Sequence, residues 1–310
     1  MICFGPIPSR RLGKSLGINN IRNSKICSYS CIYCQVGAKQ RYSIEREPFY
    51  EPKQIYWEVE SHLNKLNADD MPDFLTFVAN GEPTLDQNLG KSIQRLKQFN
   101  IPIAVITNGS MLYKPEVREE LALADWVSIK VDTADQIIWT KLNRPQPKLN
   151  FDIMSSGIQS FANQYNGTLV TETMLVDGVN DHGVALDRTA RQILSINPSI
   201  AYLSIPTRPP ALINVQPSSD KVINEAYQIF IRRGLNAELI LGFEGTDTGF
   251  TGNASDDILN ICAVHPIRED TMRELLSKNN SDLSVLDQLI KDNKVVELEF
   301  DSMKFYLRKH

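Results

Sequence analysis

Apolar positions along this chain follow two periods. Short runs dense in β-branched and aromatic residues fall at 74–78, 103–107, 126–131, 168–176 and 200–205. Between them, at 53–66, 88–99, 115–123, 134–142, 151–165 and 184–196, apolar residues recur three and four apart, and again at 219–233. The first pattern predicts strands and the second predicts helices. Strands that alternate with helices of this length predict βαβ units and a parallel sheet, hence an α/β fold. A first strand is less distinct; 16–20 is the best place for it.

The periodicity breaks at 242–255, a stretch rich in Gly, Thr and Asn, which marks a boundary loop. Beyond it the pattern changes. Ile258, Ile261 and Cys262 share one helical face, Met272, Leu275 and Leu276 a second, and Leu283, Leu286, Leu289 and Ile290 a third. Val296, Leu298 and Phe300 then alternate with Glu297 and Glu299, Asp301-Ser302 makes a turn, and Met303, Phe305 and Leu307 alternate again. Three short helices followed by a hairpin predict a winged-helix domain. The expected division is 1–245 for the α/β domain and 255–310 for the small one.

Composition alters this picture little. The 310 residues are 42% hydrophobic, enough to fill a core. No apolar run reaches the length that spans a bilayer. The first fifteen residues lack the apolar segment and small-residue site of a secretory leader, so the expected location is cytoplasmic. Charge is more telling. Net charge is −4, yet residues 1–46 carry eight Lys and Arg (Arg10, Arg11, Lys14, Arg22, Lys25, Lys39, Arg41 and Arg46) against Glu45 alone. A basic lip on an acidic chain attracts an anionic ligand or offsets an anionic group.

That lip brackets Cys27, Cys31 and Cys34, three of five cysteines. Spacings of four and three let one tight loop aim three thiolates at a common centre. Soft thiolates select zinc, copper(I) or iron–sulfur. Structural zinc uses four closed ligands, and most simple clusters use four cysteines. Here a fourth is missing, since Cys3 and His62 stand at no paired spacing. Three ligands on a four-iron cluster leave one iron open to another ligand. The alternative is a zinc site completed by a distant residue, in a winged-helix nucleic-acid-binding regulator without catalysis.

The CxxxCxxC spacing with Tyr33 before the last cysteine resembles the signature of the radical S-adenosylmethionine (SAM) superfamily. Further matches follow in order: Asn80-Gly81-Glu82-Pro83-Thr84 after one predicted strand, Thr107-Asn108 at the end of the next, and Lys130 to Asp132 at the end of another. The resemblance covers roughly residues 5–240. It implies a partial (β/α)6 TIM-like barrel, a [4Fe-4S] cluster on Cys27, Cys31 and Cys34, and SAM chelated to the fourth iron. It further implies that Asn80, Gly81, Glu82 and Pro83 receive the methionine amino group, that Thr107 and Asn108 contact the ribose, and that Tyr33 lies near the adenine. Lys130 and Asp132 complete the expected cofactor contacts, with Lys130 or Arg144 facing the methionine carboxylate. Reductive cleavage to a 5′-deoxyadenosyl radical, with an electron from a flavodoxin- or ferredoxin-like donor, and hydrogen abstraction from an unidentified substrate, such as RNA or protein, are the implied chemistry. One departure stands out: Asn80 replaces the first glycine of the family's Gly-Gly-Glu motif. The opening segment from Gly5 to Gly17 and Cys34-Gln35 resemble a branch named for wyosine formation on tRNA, whose members also end in a winged helix. The reaction is not carried over with that name.

Two further residues are catalytic candidates: Cys3, as a hydrogen donor, and His182, as an acid–base group in the 177–182 loop. Cys262 reads as a packed thiol. Gly13-Lys14-Ser15 is no phosphate loop, because Pro8 stands where that motif needs glycine. Residues 255–310 hold eight Lys and Arg against eleven Asp and Glu. DNA affinity comes largely from phosphate neutralisation, so this acidity argues against DNA as a partner.

Overall fold

The computed structural model describes residues 2–22, 25–37 and 41–309. Eight strands form one sheet: β1 (Cys3–Ser9), β2 (Gly13–Ile18), β5 (Phe74–Phe77), β6 (Ile103–Thr107), β7 (Trp126–Lys130), β8 (Thr168–Met174), β9 (Ile200–Ser204) and β10 (Ala237–Ile240), in that spatial order. Two short strands, β3 (Ile26–Cys27) and β4 (Arg41–Tyr42), pair with each other. From β2 to β10 every pairing in the large sheet is parallel; β1 joins β2 antiparallel. The sheet curls into a half-barrel, the expected partial TIM barrel, with helices over its outer face.

The predicted helices form where their ends are fixed. Pro52 opens helix Pro52–Leu63, and the side chains of Asp135, Asn150 and His182 cap helices Gln136–Asn143, Phe151–Ala162 and Gly183–Ile196. Two strands extend the expected set. β1 carries Gly5, Pro6 and Pro8, residues that interrupt a strand pattern but are tolerated at a sheet edge. β10 has only four residues, with Glu238 and Leu239 exposed at the other edge.

Strand periodicity divides the chemistry between the two faces. Outward residues such as Leu75, Phe77, Ile103, Val105, Val127 and Ile129 fill the main core beneath the helices. Inward residues change character along each strand. At the N-terminal ends Trp126, Val170, Tyr202 and Ala104 pack with Leu12 and Ile240 into an apolar plug. Two or four residues further on, the same face presents Thr76, Lys130, Glu172 and Ser204. The lumen is thus closed at one end and polar at the other.

Residues beyond 253 form helices Ala254–Cys262, Glu269–Lys278 and Leu283–Lys291 with β11 (Ile267–Arg268), β12 (Val295–Phe300) and β13 (Met303–Arg308), the strands antiparallel in the order β11-β13-β12. Phe4 and Ile7 of β1 belong to the same apolar cluster as Ile258, Ile261, Met272 and Leu275. The edge strand thereby glues this unit across the mouth of the half-barrel.

Candidate active site

The cysteine loop lies over the C-terminal strand ends. Cys27 closes β3. Beyond it, the loop is docked by backbone bonds from Ser30 N–H to the Asn143 and Arg144 carbonyls (3.0 Å each) and from Ile32 N–H to the Leu142 carbonyl (2.9 Å). Cys34 N–H donates to the Cys31 carbonyl and Gly37 N–H to the Cys34 carbonyl, both at 3.1 Å. Each sulfur meets an N–H donor. Lys25 Nζ lies 3.1 Å from Cys34 Sγ, and Asn143 Nδ2 lies 3.5 Å from Cys31 Sγ. Tyr29 N–H is 3.4 Å from Cys27 Sγ, with Asn108 Nδ2 at 3.6 Å. Donors aimed at sulfur stabilise thiolates, and they tune any metal that those thiolates hold.

Burial raises the Cys27 thiol strongly, with the Glu82 and Cys31 charges adding to it. Burial, then Asp132 and Cys34, push the Cys31 thiol up to about 12. Among the described residues no three His, Cys, Asp or Glu side chains converge at the spacing of a single ion.

The next strand ends meet this loop. Glu82 N–H donates to the Ile26 carbonyl at 3.0 Å. A Cβ on Gly81 would stand 1.8 Å from that same carbonyl oxygen, so the turn after β5 approaches the backbone beside Cys27 as only glycine allows. The Glu82 carboxylate is buried and accepts four donors: Thr84 N–H (3.1 Å), Thr84 Oγ1 (2.7 Å), Thr107 Oγ1 (2.6 Å) and Asn108 N–H (2.8 Å). Burial leaves its pKa above the ordinary value although those donors lower it. Glu82 thus clamps the ends of β5 and β6 together. Pro83 is fixed through its carbonyl by Asn20 Nδ2 at 3.1 Å, and Asn80 N–H reaches Asn19 Oδ1 at 3.2 Å. Asn108 ties β6 to the loop through Ser28 Oγ at 3.0 Å.

Asp132, beyond β7, gathers the other side. Its Oδ2 accepts from Tyr33 Oη and from Asn143 Nδ2 at 2.7 Å, and its Oδ1 accepts from Met174 N–H at 2.9 Å. Lys130 Nζ sits 5.2 Å from the Tyr33 ring centroid and donates to Glu172 Oε1 at 3.0 Å; Arg11 pairs with the other Glu172 oxygen. Beside them opens a cavity of about 320 Å³ whose wall includes Tyr33, Cys34, Lys130, Glu172 and His265.

The cysteine loop, the glycine turn and the two strand ends identified in the sequence thus share one site, in the order the resemblance implies. The model of the Radical SAM superfamily matches residues 23–188. The chain belongs to the radical SAM superfamily. It is 43% identical over 309 residues to UPF0026 protein MJ1312 of Methanocaldococcus jannaschii, covering 99% of this chain and 96% of that one. A solved radical SAM methyltransferase from Sphaerobacter thermophilus has a similar fold (TM-score 0.53, 15% identity, 73% of this chain and 66% of that one). So does Streptococcus suis SuiB bound to S-adenosylmethionine (TM-score 0.53, 14% identity, 71% and 49%). Superfamily membership implies SAM and an iron–sulfur cluster as cofactors.

Not every predicted residue joins this radical SAM site. Cys3 is buried in the main core beside Ile2, Leu16 and Ile18, and burial, then Glu58, raises its thiol strongly. It is not among the residues that line the cavity beside the cysteine loop. His182 is an exposed helix cap, its Nδ1 accepting from Ala185 N–H at 3.3 Å. Arg144 is exposed in a left-handed helix cap. Lys39 of the basic lip lies outside the described residues. Conversely, Asn143 and Glu172 gain their places only through the fold. No local motif marks them, although a carboxylate inside the otherwise buried strand β8 is itself a signal.

Glu172 yields a stability prediction. Burial alone raises a carboxyl; Arg11 and Lys130 outweigh it and hold Glu172 well below the usual range. A depressed folded pKa contributes stability that is full above the ordinary value of 4.5 and is lost as pH falls below it. Glu172→Gln strands two cations and is expected to cost about 3 kcal/mol at neutral pH. Denaturant titrations at pH 7 and pH 4 check both statements: the gap between wild type and variant narrows in acid.

Proposed function

We propose that the protein is a radical SAM enzyme in which Cys27, Cys31 and Cys34 hold three irons of a [4Fe-4S] cluster and SAM occupies the fourth. The observation that carries this reading is the donor to each of the three sulfurs, from Lys25, Asn143 and Tyr29. Such a set suits thiolates on separate irons. When bound, the cluster supplies one electron that breaks the sulfonium C5′–S bond of SAM, giving methionine and a 5′-deoxyadenosyl radical that takes hydrogen from the substrate.

The chain's own residues position and shield. The turn at Asn80, Gly81 and Pro83 presents backbone groups to the methionine amino end, with Glu82 fixing that turn. Thr107 and Asn108 stand at the ribose, Tyr33 beside the adenine, and Asp132 locks Tyr33. Lys130, drawn toward Glu172, places positive charge on the carboxylate side. A flavodoxin- or ferredoxin-like protein is the electron donor, and the reducing cytoplasm suits five free cysteines. The order helix, strand, two helices and hairpin supports a winged-helix unit at 255–310 after the catalytic domain at 1–245; its acidity favours a docking role over DNA binding.

Anaerobic reconstitution tests the cluster. About four irons and four sulfides per chain are expected; one metal and no sulfide would overturn the proposal.

A further inference from the structure

The lumen cavity is walled by more positive charge than its own carboxylates balance. Arg11 and Lys130 share Glu172. Arg208 pairs with Glu244, which also lies 3.9 Å from Arg10. Four cations therefore line the cavity with two carboxylates. His265 adds no charge. Its Nε2 stands 2.9 Å from Arg208 Nη2 and 3.1 Å from Glu244 Oε1, and burial, then Arg208 and Arg10, hold its pKa well below the ordinary value. Each carboxylate thus serves two cations, Arg10 exposed and the other three partly buried, and a cation that shares its counter-charge is incompletely neutralised. Such an excess is retained when a bound anion completes the balance.

Size and closure restrict what that anion is. The volume of about 320 Å³ is that of a small-molecule site. Its roof is the C-terminal unit: Val264 and His265 line it, and Gln35 Nε2, beside Cys34, donates to the Val264 carbonyl at 3.1 Å. Phe4 and Ile7 pack into that unit's core and hold this roof against the edge strand.

We propose that the lumen cavity binds a small-molecule substrate bearing an oxyanion, a carboxylate or phosphate, gripped by the guanidinium groups of Arg11 and Arg208. This rests on the radical SAM reading, because Tyr33 and Cys34 form part of the cavity wall and so set the ligand beside the cysteine loop. A guanidinium presents five donors in a planar fork matched to an oxyanion. The ion pairs to Glu172 and Glu244 hold both forks in place and leave them further N–H groups to offer.

Inorganic phosphate is the probe. It is titrated calorimetrically into the anaerobic, cluster-loaded full chain, wild type and Arg208→Gln, with iron content, melting temperature and SAM affinity measured on the same samples. The expected result is saturable binding to wild type and at least about tenfold weaker binding to Arg208→Gln, with iron content and SAM affinity unchanged. Should Arg208→Gln fail to fold, Arg208→Lys reads the same contact: it keeps the charge, loses the fork, and still weakens phosphate. No phosphate binding to wild type, or equal binding to the variant, would overturn the proposal. So would a parallel loss of SAM affinity in Arg208→Gln, which would assign the cations to the methionine carboxylate. A short RNA that displaces phosphate and binds more tightly would overturn the small-molecule assignment. Failure of the radical SAM reading shows separately, as absent iron and absent SAM binding in wild type.

Discussion

Replacing Cys31 with Ala is expected to abolish SAM cleavage while leaving the chain folded. The stability cost is small. The thiol is packed like a small apolar group, and its removal costs about 1–2 kcal/mol, as for other minor core truncations. The functional cost is large, because one of the three proposed metal ligands disappears, while Asn143 Nδ2 keeps its bond to Asp132. Cys262→Ala is the matched control. That thiol is also buried, its pKa is likewise pushed up to about 12 by burial, and it lies 3.2 Å from the Tyr306 carbonyl in the C-terminal unit. Both variants lose similar stability, but only Cys31→Ala loses iron and sulfide. Equal iron content in the two would remove Cys31 from the metal site.

The second large effect is expected at Lys25. This lysine is 3% exposed, and its Nζ stands 3.1 Å from Cys34 Sγ. Burial lowers a lysine pKa, but the Cys34 and Cys27 sulfurs outweigh it and raise Lys25 above its ordinary value. In the proposed cluster, a fixed positive charge beside the Cys34 sulfur favours the reduced, more negative state. At an effective dielectric near 20, a unit charge about 5 Å from the added electron is worth roughly 3 kcal/mol, or on the order of 100 mV for one electron. Lys25→Met is therefore expected to lower the cluster's midpoint potential by that order. The reduced fraction at a given poise then falls by roughly 50-fold, and radical formation slows accordingly. Redox titration followed by electron paramagnetic resonance reads the shift directly. An unchanged potential with full iron content would mean that Lys25 only packs the loop.

Much of this architecture is legible in the sequence because it is local. The run at 103–107 coincides with β6, and most other predicted strands and helices differ from those observed by a few residues at their ends. Their two periods are set by packing on a parallel sheet. β1 escapes because Gly5, Pro6 and Pro8 break the pattern that an edge strand need not keep. β10 escapes because four residues with two exposed carry almost no period. The site divides in the same way. Cys27, Cys31, Cys34, Gly81, Glu82, Thr107 and Asn108 sit in short local motifs, the cysteines signalled by their spacing and the others by the resemblance to the superfamily. What no local motif shows is that the Glu82 carboxylate also takes donors from its own turn and from β6. Arg11 meets Glu172 across 161 residues and Gln35 meets Val264 across 229. Pairs at that separation are created by curling the sheet and docking the C-terminal unit, and no window of sequence contains them.

The measurement that bears most directly on the central claim is the fate of SAM on reduction. Reconstituted protein is reduced anaerobically with dithionite in the presence of SAM, and the nucleoside products are separated. A radical SAM enzyme with an open iron on Cys27, Cys31 and Cys34 yields 5′-deoxyadenosine and methionine, and the Cys31→Ala protein yields neither. Intact SAM after reduction, from protein that holds a single zinc and no sulfide, would contradict it.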